Sequence, residues 1–232
     1  MSMRVAVVLA GGTGTRLGAG IPKQFIEVKG KAVLQYCLET FHQCGCIDKL
    51  WIAAGAHWQD KISKMVELSG LQGIFAGFSC PGQERQLSIR NALIEIMASG
   101  AEDDYVLIHD GARPLVSTKL VCRCFEAACG HEGAIPVLPV KDTVYLNKSG
   151  CLTAALNREQ MAAGQAPEVF QLGPYYRANE ALMPEKIIDI HGSAEPAIMA
   201  GMDIVAIPGE ERNFKITTPE DLDYFRYLQG EY

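Results

Sequence analysis

Apolar residues in this chain fall into short continuous runs, separated by stretches in which they recur every three or four positions. Val5–Ala10 is such a run and ends at Gly11-Gly12-Thr13-Gly14, the pattern of a strand buried on both faces and closed by a glycine-rich turn. Val33, Leu34, Cys37, Leu38 and Phe41 then follow at helical spacing. Lys49–Ala54 predicts a strand and Trp58–Leu68 a helix. Gly73–Phe78 predicts a strand, Gln86–Met97 a helix, Asp104–His109 a strand and Lys119–Cys129 a helix. Strands alternating with helices of roughly 10–15 residues form βαβ units. The expected class is therefore α/β, a mostly parallel twisted sheet with helices on both faces.

The alternation weakens after Ala134–Val140. Residues 141–156 read as extended and turn-broken, with Asn147-Lys148-Ser149-Gly150 as a hairpin turn, and predict an arm projecting from the domain. A helix over about 174–182, a strand near Ile204–Ile207 and a helix from Pro219 complete the pattern. Thr218-Pro219-Glu220-Asp221 opens that last helix well: a hydroxyl to cap free N–H groups, proline in the first turn, and acids at the positive end of the dipole. At roughly 100–200 residues per domain, 232 residues predict one domain over 1–232 with the arm as an appendage.

Composition narrows the function. Apolar residues at 48% and charged residues at 21% are ordinary for a globular chain and exclude disorder as the dominant state. No apolar run approaches the roughly 20 residues of a bilayer span, and the N-terminus lacks the order of a signal peptide, so a cytoplasmic protein is expected. A net charge of −6 argues against a general nucleic-acid binder, while leaving room for a small anion held by local cations. The eight cysteines include no C-x-x-C pair and lack zinc-finger spacings, so reduced thiols are expected.

Two segments carry candidate chemistry. Ala10-Gly11-Gly12-Thr13-Gly14-Thr15-Arg16, followed by Pro22-Lys23-Gln24, places backbone N–H groups and two cations where a triphosphate could lie. A dinucleotide fingerprint from Gly12 would need glycine at Leu17. A Walker A loop ending at Gly30-Lys31 fails at Ala32 and at Phe25. The second segment, His109-Asp110-Gly111-Ala112-Arg113-Pro114, closes a strand at its carboxyl end, where ligands of open α/β sheets lie. Asp110 could hold Mg²⁺, which takes one or two carboxylates plus phosphate oxygens, and Arg113 could grip a second phosphate. His109 is expected to be structural.

These residues resemble the cytidylyltransferases that make 2-C-methyl-D-erythritol diphosphocytidine or CDP-ribitol. The resemblance runs colinearly through Ala10–Phe25, Pro81–Leu93 (PGQERQLSIRNAL), His109–Pro114, Pro139–Val144 (PVKDTV), Asn157–Phe170 and Asn213–Leu222 (NFKITTPEDL). It implies a Rossmann-like sheet of the nucleotidyltransferase type, and transfer of CMP from CTP to a small polyol phosphate with release of pyrophosphate. Methylerythritol phosphate ranks first as acceptor, for how widespread that activity is, and ribitol 5-phosphate second. By the same resemblance Arg16, Lys23 and Lys215 are catalytic, and Ala10, Gly11, Gly12, Thr13, Gly14, Gly82, Gln83, Arg85 and Ser88 bind the nucleotide. Asp110 would carry Mg²⁺. Gly111, Arg113, Thr143 and Arg158 would bind the acceptor, the last two reaching it from the partner subunit's arm, which implies a homodimer. The chain departs from the family pattern at Ala166, where a hydroxyl is usual, and at Ser193-Ala194-Glu195-Pro196, where an acidic cluster is usual. Its Ala-Gly-Gly opening and Gly164-Gln165 pair look more like the ribitol branch. A sugar-1-phosphate nucleotidyltransferase shares the opening motif but spaces its lysine farther on. A non-catalytic nucleotide-binding protein is the other alternative.

Overall fold

The computed structural model describes residues 2–12 and 20–231. After β1 (Arg4–Leu9) come the two-residue strands β2 (Glu27–Val28) and β3 (Lys31–Ala32), then α1 (Val33–Cys44), β4 (Lys49–Ala53), α2 (Ala56–Leu68), β5 (Phe75–Ser79), α3 (Arg85–Met97), β6 (Tyr105–Asp110) and α4 (Thr118–Ala128). The second half contains β7 (Gly133–Pro139), β8 (Val144–Lys148), β9 (Cys151–Leu156), β10 (Ala162–Gly164), β11 (Glu168–Gln171), α5 (Leu172–Glu180), α6 (Glu195–Met199), β12 (Ile204–Pro208) and α7 (Pro219–Gln229). The expected α/β class and mostly parallel sheet are what the chain forms.

β1 lies between β4 and β6, parallel to both, and β5 extends the sheet beyond β4. Alternation along β1 divides the core. Ala6 and Val8 face α1, α2 and α4, joining Leu38, Phe41, Ile62 and Leu120. Val5 and Val7 face α3 and α5, joining Ile89, Leu93 and Tyr175. A strand covered on both faces must be apolar at every position, which is why Val5–Ala10 is unbroken.

The sequence pattern missed β11. It runs antiparallel between β6 and β7, with Val169 entering one core and Phe170 the other. Four residues with two apolar side chains are too short to show a period, and only pairing on both edges makes them a strand. β10 pairs with β7 on the same edge as β11, and β12 runs parallel to β7 on its other edge.

β8 and β9 form a separate antiparallel hairpin within the expected arm. Its loop is Ser149-Gly150, at φ of 51° and 86°, and Asn147 Oδ1 accepts from the Gly150 N–H at 2.9 Å. Two positive φ values in a two-residue loop match the twist of the paired strands. Tyr145, Leu146 and Leu152 are exposed on this hairpin. α7 begins with a complete capping box, Thr218 accepting from the Asp221 N–H and Asp221 from the Thr218 N–H. Its buried residues Leu222 and Phe225 pack with Ile216, Val28 and Val33, and the Ile216 N–H donates to the Ala112 carbonyl, which seats the segment preceding α7 beside the end of β6. Among the described residues no helix is long and apolar enough to cross a membrane.

Candidate active site

A cavity of about 530 Å³ opens where the chain leaves β1 and β6 and enters α3. Gly11, Gly12 and Lys23 line one side, Gly82, Gln83 and Ser88 the second, and Asp110 and Lys215 the third. Two glycines allow the close approach: a Cβ on Gly11 would lie 2.5 Å from Pro81 Cβ, and one on Gly82 would lie 2.3 Å from Leu87 Cβ. The first turn of α3 has no side-chain cap, so it brings the positive end of its dipole to this wall. Ser88 Oγ accepts from the Gly82 N–H at 2.9 Å and shapes that turn. Gln24, which the sequence reading gave no role, is buried and donates to the carbonyls of Ala10 (2.6 Å) and Gly12 (2.8 Å). It fixes the stem of the glycine loop. Thr13, Gly14 and Arg16 lie outside the described residues.

A smaller cavity of about 170 Å³ adjoins the first. Arg85, Asp110 and Lys215 line both and form the wall between them. Asp110, at the end of β6, is the hub of this wall. Its Oδ1 accepts from Arg85 Nη2 (3.1 Å) and Nε (3.2 Å), and its Oδ2 meets Lys215 Nζ at 3.1 Å and Arg113 Nε at 3.3 Å. Burial alone would raise the pKa of Asp110, but the charges of Arg85, Lys215 and Arg113 outweigh it and hold the carboxyl well below the usual carboxylate range. Three cations around one carboxylate leave the wall locally positive within a chain of net charge −6. That polarity suits a polyanionic ligand.

The expected acceptor residues divide. Arg113 lines the smaller cavity, but two of its nitrogens serve Asp110 Oδ2 and the Asn213 carbonyl, the latter at 2.7 Å, so it ties β6 to the segment carrying Lys215. Gly111, expected at the acceptor, lines neither cavity. It is buried where a Cβ would lie 3.0 Å from Leu34 Cδ1 and 3.1 Å from the Leu9 carbonyl, so it lets the chain turn against β1. Ala10, expected at the nucleotide, likewise lines neither; it is buried and contributes its carbonyl to Gln24. Thr143 and Arg158 are exposed and line neither cavity of their own chain. Arg158 Nη1 donates to the Lys141 carbonyl at 2.6 Å. His109 is fully buried, edge-on to Phe41, and burial lowers it to about 4. It is neutral at pH 7 and, with its Nε2 3.3 Å from the Arg113 carbonyl, supports the loop.

The sequence reading missed Glu168. It sits at the start of β11, is buried, lines the smaller cavity and accepts from the Ser193 hydroxyl. The available signal was an acid opening a short apolar run. Burial pushes it up to about 7 against the pull of Arg85, Arg113 and Lys215.

A positive, glycine-lined cleft at the carboxyl ends of parallel strands, partitioned by one carboxylate and its cations, defines an α/β nucleotidyltransferase. The sequence model of IspD, 2-C-methyl-D-erythritol 4-phosphate cytidylyltransferase, matches residues 4–228, and the chain belongs to that family. It is 37% identical to the 2-C-methyl-D-erythritol 4-phosphate cytidylyltransferase of Rubrobacter xylanophilus over 225 residues, covering 96% of this chain and 93% of that one. It is 34% identical to the Geotalea uraniireducens enzyme of the same name, covering 95% and 94%. A crystal structure of 4-diphosphocytidyl-2C-methyl-D-erythritol synthase superposes with a TM-score of 0.82 at 27% identity, covering 99% of both chains. The Thermus thermophilus cytidylyltransferase does so at 0.73 and 27%, covering 97% of this chain and 98% of that one.

Proposed function

We propose that the protein transfers CMP from CTP to 2-C-methyl-D-erythritol 4-phosphate and releases pyrophosphate, in the cytoplasm and as a homodimer. The observation that carries this reading is the Arg85–Asp110–Lys215 wall between two cavities. The larger cavity has the size and glycine lining for a nucleotide, and the smaller one has room for a short phosphorylated chain. The reacting phosphates then meet at the cations between them.

The acceptor phosphate has a second pKa of about 6, so it is largely dianionic at pH 7. One of its oxygens attacks the α-phosphorus in line, and the bond from that phosphorus to the pyrophosphate oxygen breaks. No general base is needed, which agrees with a neutral, buried His109. What the chain supplies is position and charge. Lys215 and Arg85 neutralise the approach of the two polyanions, and Lys23 is positioned for the nucleotide phosphates. Among the described residues no three His, Cys, Asp or Glu side chains converge on a metal site. Both oxygens of Asp110 are already engaged by Arg85, Lys215 and Arg113, so Mg²⁺ would bind there only by displacing one of these cations. Asp110 would hold it, and the ion would supply further neutralisation of phosphate charge.

The exposed apolar residues of the arm support the dimer. Thr143 and Arg158, which line neither cavity of their own chain, would complete the acceptor site of the partner. The test is pyrophosphate release from CTP and Mg²⁺ with 2-C-methyl-D-erythritol 4-phosphate, with ribitol 5-phosphate, or with no acceptor. Release with the first alone is expected. Release with ribitol 5-phosphate alone would replace the acceptor, and silence with both would overturn the reading.

A further inference from the structure

We propose that Glu168 holds a hydroxyl group of the acceptor, with Ser193 as its positioning partner, and thereby selects a polyol phosphate over a phosphate with a bare alkyl tail. This rests on the two-cavity reading above and assigns to the smaller cavity a residue that the family resemblance does not supply.

Glu168 pairs with Ile108 across β11 and β6, so its side chain shares a sheet face with Ile108 and, two positions on, with Asp110. That face looks toward α3 and α5, and Glu168 enters the smaller cavity next to the Asp110 wall. Among the other lining residues Gly164, Ala166 and Gly192 are bare and Gln165 is committed to Glu210 and Asn213, which leaves Glu168 and the exposed His191 to meet a hydroxyl, Glu168 being the buried one.

The bonding pattern singles out the carboxyl group. Arg85 Nη1 donates to Ser193 Oγ at 2.8 Å, and Ser193 Oγ donates to Glu168 Oε2. Among the described residues Glu168 Oε1 accepts no hydrogen bond, and no cation forms an ion pair with Glu168. A carboxyl group buried for structure alone would be expected to take a guanidinium directly, because an uncompensated buried charge is costly. Arg85 instead spends its fork on Asp110 and Ser193. The result is a held but incompletely satisfied acid at the end of a hydroxyl relay, suited to a ligand that both donates and accepts. A carboxyl group repels phosphate and welcomes hydroxyls. The acceptor therefore enters with its phosphate toward Lys215 and Arg113 and its hydroxyl-bearing carbons toward Glu168.

Charge facing Glu168 comes from Arg85 on α3, Asp110 on β6, Arg113 beyond it and Lys215. Tyr175 on α5 and Cys124 on α4 are its other titratable neighbours, and His191 lines the same cavity. Burial is the largest influence and places the carboxyl near half-ionisation at neutral pH. Ionisation sets a second negative charge beside an acceptor that is itself dianionic. The acceptor KM of the wild type should therefore rise between pH 6.5 and 8.5.

The experiment uses the full chain with CTP, Mg²⁺ and whichever of 2-C-methyl-D-erythritol 4-phosphate or ribitol 5-phosphate the wild type turns over. Glu168→Leu should raise the acceptor KM roughly 10-fold or more, the scale of one lost hydrogen bond to a charged group, with the CTP KM within about twofold. Glu168→Gln, of the same shape, should restore most of that affinity and flatten its pH dependence. An acceptor analogue lacking one hydroxyl should be discriminated by the wild type and much less by Glu168→Leu. Should Glu168→Leu fail to fold, Glu168→Gln and the analogue carry the test on their own. Unchanged acceptor KM in both variants, or equal loss against the complete and deoxygenated acceptors, would overturn the assignment while leaving the transferase reading intact. A silent wild type would overturn both.

Discussion

The ammonium of Lys23 donates to the main-chain carbonyl of Ile216 at 2.7 Å, across 193 positions of sequence. This bond joins the loop after β1 to the segment that bears Lys215. Through Lys215 and Asp110 it continues to the end of β6. Two lysines contributed by opposite ends of the chain are thereby held on one cleft.

Lys23→Ala and Lys215→Ala should each lower kcat by roughly 10²-fold or more, the scale of one lost transition-state donor. Initial rates of pyrophosphate release measure this. Near-normal turnover in either variant would remove that lysine from the reaction. Asp110→Asn should also abolish most activity, and in addition lower the thermal midpoint, since it leaves Arg85, Arg113 and Lys215 without their common carboxylate.

The arm gives a test of assembly. Leu146→Glu combined with Leu152→Glu replaces two half- or more-exposed apolar side chains on the hairpin. Sedimentation should show conversion from dimer to monomer, with turnover falling alongside, because Thr143 and Arg158 would no longer reach a neighbouring cleft. A variant that stays dimeric would place the contact elsewhere.

Glu168 makes stability fall as pH rises. Its carboxyl group is raised from an ordinary 4.5 to about 7 in the folded chain, so between those values the folded state holds a proton that the unfolded state has released. Folding is uncompromised below the lower value and is destabilised progressively through the upper one, by on the order of 3 kcal/mol at most. Thermal midpoints of the wild type and Glu168→Gln, compared from pH 5 to 8, should diverge in favour of the variant as pH increases. Parallel curves would assign the pH dependence to other groups.

Thiol reactivity should follow burial and hydrogen bonding. Cys37 and Cys124 are buried, and desolvation pushes both up to about 12, so they should resist iodoacetamide until the chain unfolds. Cys80, Cys129 and Cys151 are exposed and should label early. Cys46 Sγ lies 3.5 Å from Cys44 Sγ and 3.6 Å from Cys122 Sγ. The hydrogen bond from Cys46 lowers Cys44 to about 7, which should make Cys44 the first of those three to react. Peptide mass spectrometry resolves the order.

Much of this architecture was legible one residue at a time. The unbroken Val5–Ala10, the helical spacing of Val33 to Phe41 and the cap at Thr218 each state a local preference that the folded chain keeps, because burial on two faces, burial on one stripe and satisfaction of free N–H groups act over only a few residues. The glycine turn, Lys23 and Asp110 were legible as candidate chemistry because charge and backbone freedom belong to single residues, whereas Lys215 came only with the family resemblance. Tertiary structure decided how these were used. β11 is a strand only because β6 and β7 offer hydrogen bonds on both its edges. Gly111 became packing, and Arg113 a brace, because their neighbours come from β1 and from residue 213. Glu168 acquired its chemistry from desolvation and from Ser193, 25 positions away. Pairing, burial and charge coupling are properties of groups brought together in space, and no linear pattern holds them until the sheet has closed.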